Sequence, residues 1–179
     1  MDVWHDLSSG PQPPDLVYCV VEIPRGSQNK YEYSKASGVI TLTRVLFSAM
    51  YYPGDYGLIP RTLSRDGDAL DILVMVSEPT FPGCVIEARP VGVFHMLDRG
   101  EQDDKILAVP AKDPLFDSYR ALADVPPHFL TQVGHFFGTY KQLENIEVKV
   151  KGWEDEEAAR RCIQDALYLY QQGRAAGRI

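Results

Sequence analysis

The chain has 179 residues, of which 45% are hydrophobic, so we expect residues 1–179 to form a single domain with a full core. The formal net charge of −7 argues against a general nucleic-acid binder, whose contact surface is basic. No apolar run is long enough for a membrane segment, the N-terminus lacks the pattern of a secretory signal, and the three scattered cysteines suit a reducing, cytoplasmic location.

The first predicted strand covers residues 16–23, an apolar run that ends at Pro24. Glu22 is the one charged residue in this run, and it lies near the end of the strand. From the sequence, Glu22 is either a surface residue at the strand end or a carboxylate directed at a functional site.

Two further strands follow after short turns. The alternation in residues 30–33 places Lys30 and Glu32 on one face, which is either an ordinary solvated face or part of a site. Residues 39–47 form the next predicted strand, and Arg44 lies within it. Strands that follow one another through such short turns are typical of an antiparallel sheet or barrel.

The segment 50–60 combines tyrosines with Pro and Gly residues that favour turns. Tyr52 and Tyr56 are among these tyrosines. A phenol has an apolar ring and a polar hydroxyl. These side chains could therefore fill the core or donate hydrogen bonds to the oxygen atoms of a phosphate group.

The most informative stretch is Asp66-Gly67-Asp68-Ala69-Leu70-Asp71, which leads into an apolar strand predicted for residues 69–76. On a plain extended strand, Asp66 and Asp68 would share one face and Asp71 would lie on the other. A turn at Gly67 would break this alternation and let the three carboxylates converge. Converging carboxylates repel one another, so they need a cation, and oxygen ligands suit Mg²⁺, Mn²⁺ or Ca²⁺.

Two simpler interpretations of this stretch are a surface turn and a calcium loop. Asp-Gly-Asp sequences are common in solvated surface turns. A calcium loop of the EF-hand type requires Gly at its sixth position and Glu at its twelfth. Counted from Asp66, those positions hold Asp71 and Ser77, so the EF-hand interpretation fails.

A second acid-rich segment, residues 98–105, contains Asp98, Asp103 and Lys105. It lies between a strand predicted for residues 85–94 and another predicted for residues 106–109. Two acidic turns that adjoin strands of one small sheet could face each other across a site. Lys105 could then be a counter-charge for the carboxylates or a ligand for phosphate.

The last third of the chain is predicted to be helical. Pro126-Pro127 opens a helix, because proline is favoured in a first helical turn, and apolar residues recur at helical spacing up to Tyr140. Tyr140 is either a core residue or, with Lys141, part of a site. A short strand at 147–150 precedes a second helix with an acidic first turn around residues 154–157.

These polar residues divide into two chemical classes. The cation ligands would be Asp66, Asp68, Asp71, Asp98 and Asp103, and the phosphate ligands Lys30, Arg44, Lys105, Lys141, Tyr56 and Tyr140. An acidic protein with such a mixed site suits a metal-bound phosphate compound, because the metal neutralises both the carboxylates and the substrate. The expected chemistry is hydrolysis at phosphorus.

The motifs, taken together, resemble those of family I soluble inorganic pyrophosphatases of the prokaryotic type. The resemblance runs from about residue 15 to residue 153 and rests on several short motifs in the expected order. These are Glu22-Ile23-Pro24, Lys30-Tyr31-Glu32, Pro53-Gly54-Asp55-Tyr56-Gly57, the 66–71 stretch, Arg89-Pro90-Val91-Gly92, residues 98–105, His135-Phe136-Phe137 and Tyr140-Lys141.

The resemblance implies an α+β, mainly β fold: a five-stranded OB-type barrel with flanking C-terminal helices. It implies Mg²⁺-dependent hydrolysis of inorganic diphosphate to two phosphates and a homo-oligomer, usually a hexamer. It also implies roles for individual residues. The metal ligands would be Asp66, Asp71, Asp98 and Asp103, and the general base would be Asp68. The phosphate ligands would be Lys30, Arg44, Tyr56, Lys105, Tyr140 and Lys141. The supporting residues around them would be Glu22, Glu32 and Tyr52.

Two other functions remain open on the residues alone. OB-type barrels often bind single-stranded nucleic acid, although the clustered acids and the net charge of −7 oppose this. A metal-dependent hydrolase of organic diphosphates is the other alternative. The sequence offers no evident apolar platform on which a nucleotide base could stack.

Overall fold

A computed structural model describes residues 2–179 of the chain. Within these residues it contains nine strands and two α-helices. The strands are β1 (Val17–Ile23), β2 (Asn29–Ser34), β3 (Val39–Val45), β4 (Asp55–Leu58), β5 (Asp71–Val74), β6 (Val85–Asp98), β7 (Glu101–Gln102), β8 (Lys105–Pro110) and β9 (Val148–Glu154). The helices are α1 (Pro127–Thr139) and α2 (Glu156–Ala175).

Five strands pair in a closed ring in the order β1, β4, β5, β8 and β6, with β6 pairing again with β1. All these pairings are antiparallel except that between β5 and β8, which is parallel. The short β7 and the long β9 pair with the second half of β6, and β2 and β3 form a separate hairpin. The mainly β architecture with two C-terminal helices agrees with the predicted fold class.

The strand β6 is longer than predicted. The sequence suggested that Pro90 and Gly92 would interrupt it, but the strand continues to Asp98 and shifts its register against β8 between these two residues. Proline and glycine are tolerated at such irregularities, where a ladder hydrogen bond is lost and the strand bends. The strand β4 was not predicted, because its sequence, Asp-Tyr-Gly-Leu, has little strand character.

The core consists of two clusters on opposite faces of the strands. Leu73 and Leu107 pack into the cluster that includes the aromatic residues of α1, whereas Ile72 and Ile106 pack into the cluster that contacts α2. Successive residues of a strand point to opposite faces, so β1, β5, β6 and β8 each supply both clusters, whereas β4 supplies only Tyr56 to the cluster beside α1. The helix α1 therefore packs on one side of the strands and α2 on the other.

Both helices begin with features visible in the sequence. Pro127 occupies the first turn of α1, as predicted. Asp155 caps α2 by accepting a hydrogen bond from the amide of Ala158, and the acidic Glu156 and Glu157 follow in the first turn. Across residues 2–179, neither helix combines the length and the apolar character needed to cross a bilayer.

Gly57 in β4 lies where β1 approaches most closely. A Cβ atom at this position would lie 2.0 Å from the carbonyl oxygen of Val20. We expect Gly57→Ala to lower the free energy of unfolding by about 3 kcal/mol or more, because overpacking against backbone cannot be relieved by a rotamer change. Urea unfolding would measure the loss.

The matched control is Gly134→Ala in α1, where the added Cβ atom would meet only Phe94 Cε2 at 3.7 Å. Alanine is favoured over glycine inside a helix by up to about 1 kcal/mol, so this variant should keep or gain stability. Equal losses in the two variants would contradict the assigned close contact at Gly57.

Candidate active site

The predicted site residues converge on one cavity of about 560 Å³. It is bordered by the β2–β3 hairpin, the turn before β5, the segment between β6 and β8, and the end of α1. All but one of the predicted site residues line it: Glu22, Lys30, Glu32, Tyr52, Tyr56, Asp66, Asp68, Asp71, Asp98, Asp103, Lys105, Tyr140 and Lys141. The two acid-rich turns therefore face each other, as the sequence suggested.

The turn that precedes β5 brings its three carboxylates to the same cavity. Gly67 has a φ of 89°, a backbone conformation that residues with a side chain rarely adopt. Asp66 and Asp68 lie in this turn, and the amide of Asp68 donates a hydrogen bond of 3.0 Å to Asp66 Oδ1. Asp71 is the first residue of β5. The turn at Gly67 thus lets Asp66, Asp68 and Asp71 reach the same cavity, as predicted.

Lys105 is the central cation of the site, and its residue is only 3% exposed. Its ammonium group donates to Asp71 Oδ2 at 2.5 Å and also to Asp103 Oδ1. Burial lowers the pKa of Lys105, but the two neighbouring carboxylates, first Asp71 and then Asp103, outweigh it and raise the pKa above its usual range. Lys105 therefore stays charged and neutralises part of the acidic cluster.

Tyr56 adds a second contact to the same carboxylate, because its hydroxyl donates to Asp71 Oδ2 at 2.5 Å. Tyr52, Tyr56 and Tyr140 all belong to the buried core and also line the cavity, so they fill the core, and their binding of phosphate oxygens stays a prediction. Burial raises the pKa of each of the three phenols. They remain protonated, and hence able to donate hydrogen bonds, at neutral pH.

Lys141 and Asp98 form a second ion pair at the cavity, with Nζ and Oδ2 separated by 2.5 Å. Burial lowers the pKa of Lys141, although the bond and the charge of Asp98 oppose this effect. The other oxygen of Asp98, Oδ1, is buried and has no hydrogen-bond partner among residues 2–179. A buried carboxylate oxygen without a donor is costly, which marks this atom as a candidate ligand atom.

Glu22 is directed at the cavity rather than at the surface, since it is 8% exposed. Its Oε1 accepts a hydrogen bond of 2.6 Å from the amide of Tyr33. Burial nevertheless raises the pKa of Glu22 to about 8, with Asp71 and Glu32 adding to the effect. Lys30 pairs with Glu32 beside it.

The raised pKa of Glu22 predicts a pH dependence of stability. Between pH 4.5 and about 8 the folded chain retains a proton on Glu22 that the unfolded chain has lost. The free energy of unfolding should therefore fall as the pH rises, by up to about 1.4 kcal/mol per pH unit from this group. Glu22→Gln should remove this contribution, because an amide does not titrate. The amide oxygen of the variant can still accept the hydrogen bond from Tyr33, so the local structure should be kept.

Urea unfolding across this pH range, in the presence of EDTA, would measure the effect. Glu101→Gln is the control, since Glu101 is exposed and does not line the cavity. Parallel pH profiles for Glu22→Gln and the unchanged protein would show that Glu22 does not titrate in this range.

Arg44 is the predicted site residue that does not line the cavity. Although it lies opposite Lys30 across the β2–β3 hairpin, its Nη1 pairs with Glu144 Oε2 at 2.6 Å. Its Nε and Nη2 atoms are buried and have no hydrogen-bond partner among residues 2–179. Glu144 was not predicted, because nothing in the sequence links it to a residue 100 positions earlier.

Lys35 is a further cation that the sequence analysis missed. Its Nζ lies 2.5 Å from Asp68 Oδ1 and 2.8 Å from the carbonyl oxygen of Gly67, and it lies over the ring of Trp4. Lys35 is in the turn between β2 and β3, and both it and Trp4 line the cavity. The turn of the hairpin thus contacts the acidic turn directly.

The carboxylates are held by lysines in this structure. Among residues 2–179, no three Asp, Glu, His or Cys side chains form a group arranged to hold a metal ion. Lys35, Lys105 and Lys141 each bind carboxylate oxygens that face the cavity. The charge repulsion expected between the converging aspartates is therefore relieved by ammonium groups.

Comparisons with known proteins agree with this architecture. The family model described as inorganic pyrophosphatase matches residues 19–171. An inorganic pyrophosphatase of Haloferax volcanii is 49% identical over 173 residues, which cover 96% of this chain and 98% of that protein. A soluble inorganic pyrophosphatase of Oryza sativa subsp. indica is 48% identical over 93% of this chain and 78% of that protein.

The fold is likewise similar to solved structures. The crystal structure of inorganic pyrophosphatase from Thermus thermophilus superposes with a TM-score of 0.92 and 42% identity, and the match covers 96% of this chain and 99% of that one. Both the sequence match and the structural match extend over nearly the whole chain. The chain therefore belongs to the inorganic pyrophosphatase family.

Proposed function

We propose that this chain hydrolyses inorganic diphosphate to two phosphates in the cavity described above, with Mg²⁺ as its cofactor. The observation that carries the proposal is the convergence of carboxylates and ammonium groups from separate turns on one cavity of about 560 Å³. Membership of the inorganic pyrophosphatase family supports the choice of diphosphate as substrate.

The donor set fits a hard divalent cation. Asp66, Asp71, Asp98 and Asp103 would hold it, because Mg²⁺ prefers carboxylate oxygens and water. The buried Oδ1 of Asp98, which lacks a partner among residues 2–179, is a donor atom available for this purpose. When bound, the cation would supply Lewis-acid stabilisation of the phosphate charge and lower the pKa of a coordinated water.

The cationic and phenolic side chains would bind the phosphate oxygens. Lys30, Lys105 and Lys141 line the cavity with the hydroxyls of Tyr56 and Tyr140. Lys105 and Lys141 now bind carboxylates, and these partners would be exchanged for phosphate oxygens when a cation neutralises the carboxylates. Arg44 would join them by donating from Nε and Nη2, which are without partners in the described part of the chain.

Asp68 would act as the general base that accepts a proton from the attacking water. It lies in the turn before β5 with 68% of its side chain accessible, so water can reach it. Its ion pair with Lys35 must open or shift for the oxygen to accept a proton. Glu22, Glu32 and Tyr52 would support the surrounding ligands without contacting the reacting atoms.

Phosphate release from inorganic diphosphate, with and without EDTA, tests this function. We expect release that requires Mg²⁺ and stops when EDTA removes the cation. Nucleoside diphosphates and triphosphates, assayed in parallel, should be poor substrates because charged side chains dominate the cavity. Comparable release from the nucleotides would favour the organic diphosphate alternative, and a salt-sensitive gel shift with single-stranded DNA would favour nucleic-acid binding.

Three further features are proposed: a cytoplasmic location from the scattered cysteines, a single functional domain over residues 1–179 from the chain length, and a hexameric assembly from the family resemblance. Analytical ultracentrifugation would test the assembly. Exposed apolar side chains that an assembly could cover occur on the β2–β3 hairpin and the following loop, among them Leu42 and Phe47 at 55% and 64% exposure.

A further inference from the structure

A second cavity of about 580 Å³ lies on the other side of the strands from the acidic one. The helix α2 forms one of its walls. The turn before β5 and the segment between β6 and β8 form the opposite wall. Its volume is in the range of small-molecule sites, which are typically about 300–1,000 Å³. None of the residues to which a role in hydrolysis is assigned above lines this second cavity.

The two cavities share a wall one residue thick. In the extended segment 102–105, Gln102 and Asp104 line the second cavity, whereas Asp103 and Lys105 line the acidic one. This alternation is the ordinary two-residue period of extended backbone. The turn before β5 is divided in a similar way, because Arg65 and Leu70 line the second cavity whereas Asp66, Ala69 and Asp71 line the first.

A buried acceptor atom lies at the polar end of the second cavity. The carboxylate of Asp104 only accepts hydrogen bonds, so His95 donates to Asp104 Oδ1 from Nδ1, at 2.7 Å. In the neutral ring the opposite nitrogen, Nε2, is then an acceptor. It is buried, it has no hydrogen-bond partner among residues 2–179, and Glu154 Oε2 lies 3.8 Å away. One donor group that lies to the side of this pair, at hydrogen-bond distance from each atom, would satisfy both.

The lining of the second cavity combines aliphatic side chains with a small excess of negative charge. Leu63, Leu70, Ala166 and Leu169 provide aliphatic surface beside the polar end. The charged residues at the cavity are Asp104, Glu154, Asp165, Arg65 and Arg161, which give three carboxylates against two guanidinium groups. The excess of negative charge and the acceptor atoms favour a ligand that is cationic and donates hydrogen bonds.

We propose that this second cavity binds a small amphipathic amine. Its ammonium group would lie beside the pair formed by His95 Nε2 and Glu154 Oε2, at hydrogen-bond distance from each, and its short apolar body would lie against Leu63, Leu70 and Leu169. The site is separate from the acidic cavity, and binding there can be measured without the hydrolysis of diphosphate. It lies directly behind Asp103 and Lys105, so a ligand there would restrain the segment that carries them.

Titration of the intact protein with n-hexylamine, followed through the imidazole nitrogen signals of His95 by NMR, tests the proposal. We expect a saturable shift at His95 Nε2. The matched compounds n-hexanol and hexanoate have the same apolar body without the ammonium group, and they should bind roughly tenfold more weakly or not at all.

Glu154→Gln should weaken n-hexylamine binding about tenfold, since it removes the charged acceptor. The Glu154 side chain is 62% exposed, so this substitution should leave the fold intact. Glu157→Gln is the control, because Glu157 lies nearby on α2 but does not line the cavity. Absence of a saturable shift, equal binding of n-hexanol, or unchanged binding in Glu154→Gln would each overturn the proposal, whatever the phosphate-release assay shows.

Discussion

Replacing Asp68 with Asn is expected to lower the turnover of diphosphate by about 10²–10⁴-fold, the usual contribution of a positioned general base. The substitution preserves the size of the side chain but removes the group that accepts a proton. Mg²⁺ affinity should change much less, because Asp66, Asp71, Asp98 and Asp103 remain. The structure supports this separation, since the side chain of Asp68 is 68% exposed, against 27% for Asp71, 22% for Asp98 and 17% for Asp103.

Phosphate release and Mg²⁺ titration, measured side by side on the same preparation, would distinguish a base from a ligand. Asp117→Asn serves as the control, because Asp117 is exposed and does not line the cavity. Turnover at the level of the control would refute the role assigned to Asp68. A parallel loss of turnover and Mg²⁺ affinity would instead reassign Asp68 as a principal metal ligand.

The largest effect on stability is expected for Lys105→Met. This variant leaves the carboxylates of Asp71 and Asp103 close together without the buried ammonium group between them. Removal of one partner from a buried ion pair typically costs about 3–5 kcal/mol, because the remaining charge is uncompensated. Urea unfolding in EDTA should show a loss of this size, and added Mg²⁺ should recover part of it by neutralising the same carboxylates.

Lys112→Met is the matched control, because Lys112 pairs with Glu87 but its side chain is 81% exposed. Exposed ion pairs contribute little to stability, so the unfolding midpoint of this variant should barely move. Similar midpoints for the two variants would show that Lys105 is not the counter-charge on which the metal-free site depends.

Much of the architecture follows from local sequence features. Apolar runs bounded by turn residues predicted most of the strands. The acids before β5 could be placed on a turn because Gly67 permits the backbone conformation that the convergence requires. The strand β4 could not be predicted, since its pairing with β1 and β5 depends on partners distant in sequence. The predicted β6 was too short because Pro90 and Gly92 were expected to interrupt the strand. In the structure they lie at a register shift against β8, and the strand continues beyond them.

The ion pairs were the least predictable part of the site. Lys35 contacts Asp68 across 33 positions of sequence, and Arg44 contacts Glu144 across 100. A charged residue in a turn or on a strand has many possible partners, and only the tertiary fold selects one. The residue types needed for the chemistry were therefore visible in the sequence, but their partners were not.

The single parallel pairing in the ring, between β5 and β8, places Asp71 directly opposite Lys105. Consequently, insertions between Asp71 and Lys105 should be tolerated at some positions and not at others. An insertion in the exposed loop around Phe81 leaves the pairing unchanged, whereas one extra residue at the start of β8 would rotate Lys105 toward the opposite cavity and bring its neighbour into the acidic one. Insertions and deletions among functional variants should therefore accumulate in that loop and be absent from the first residues of β8.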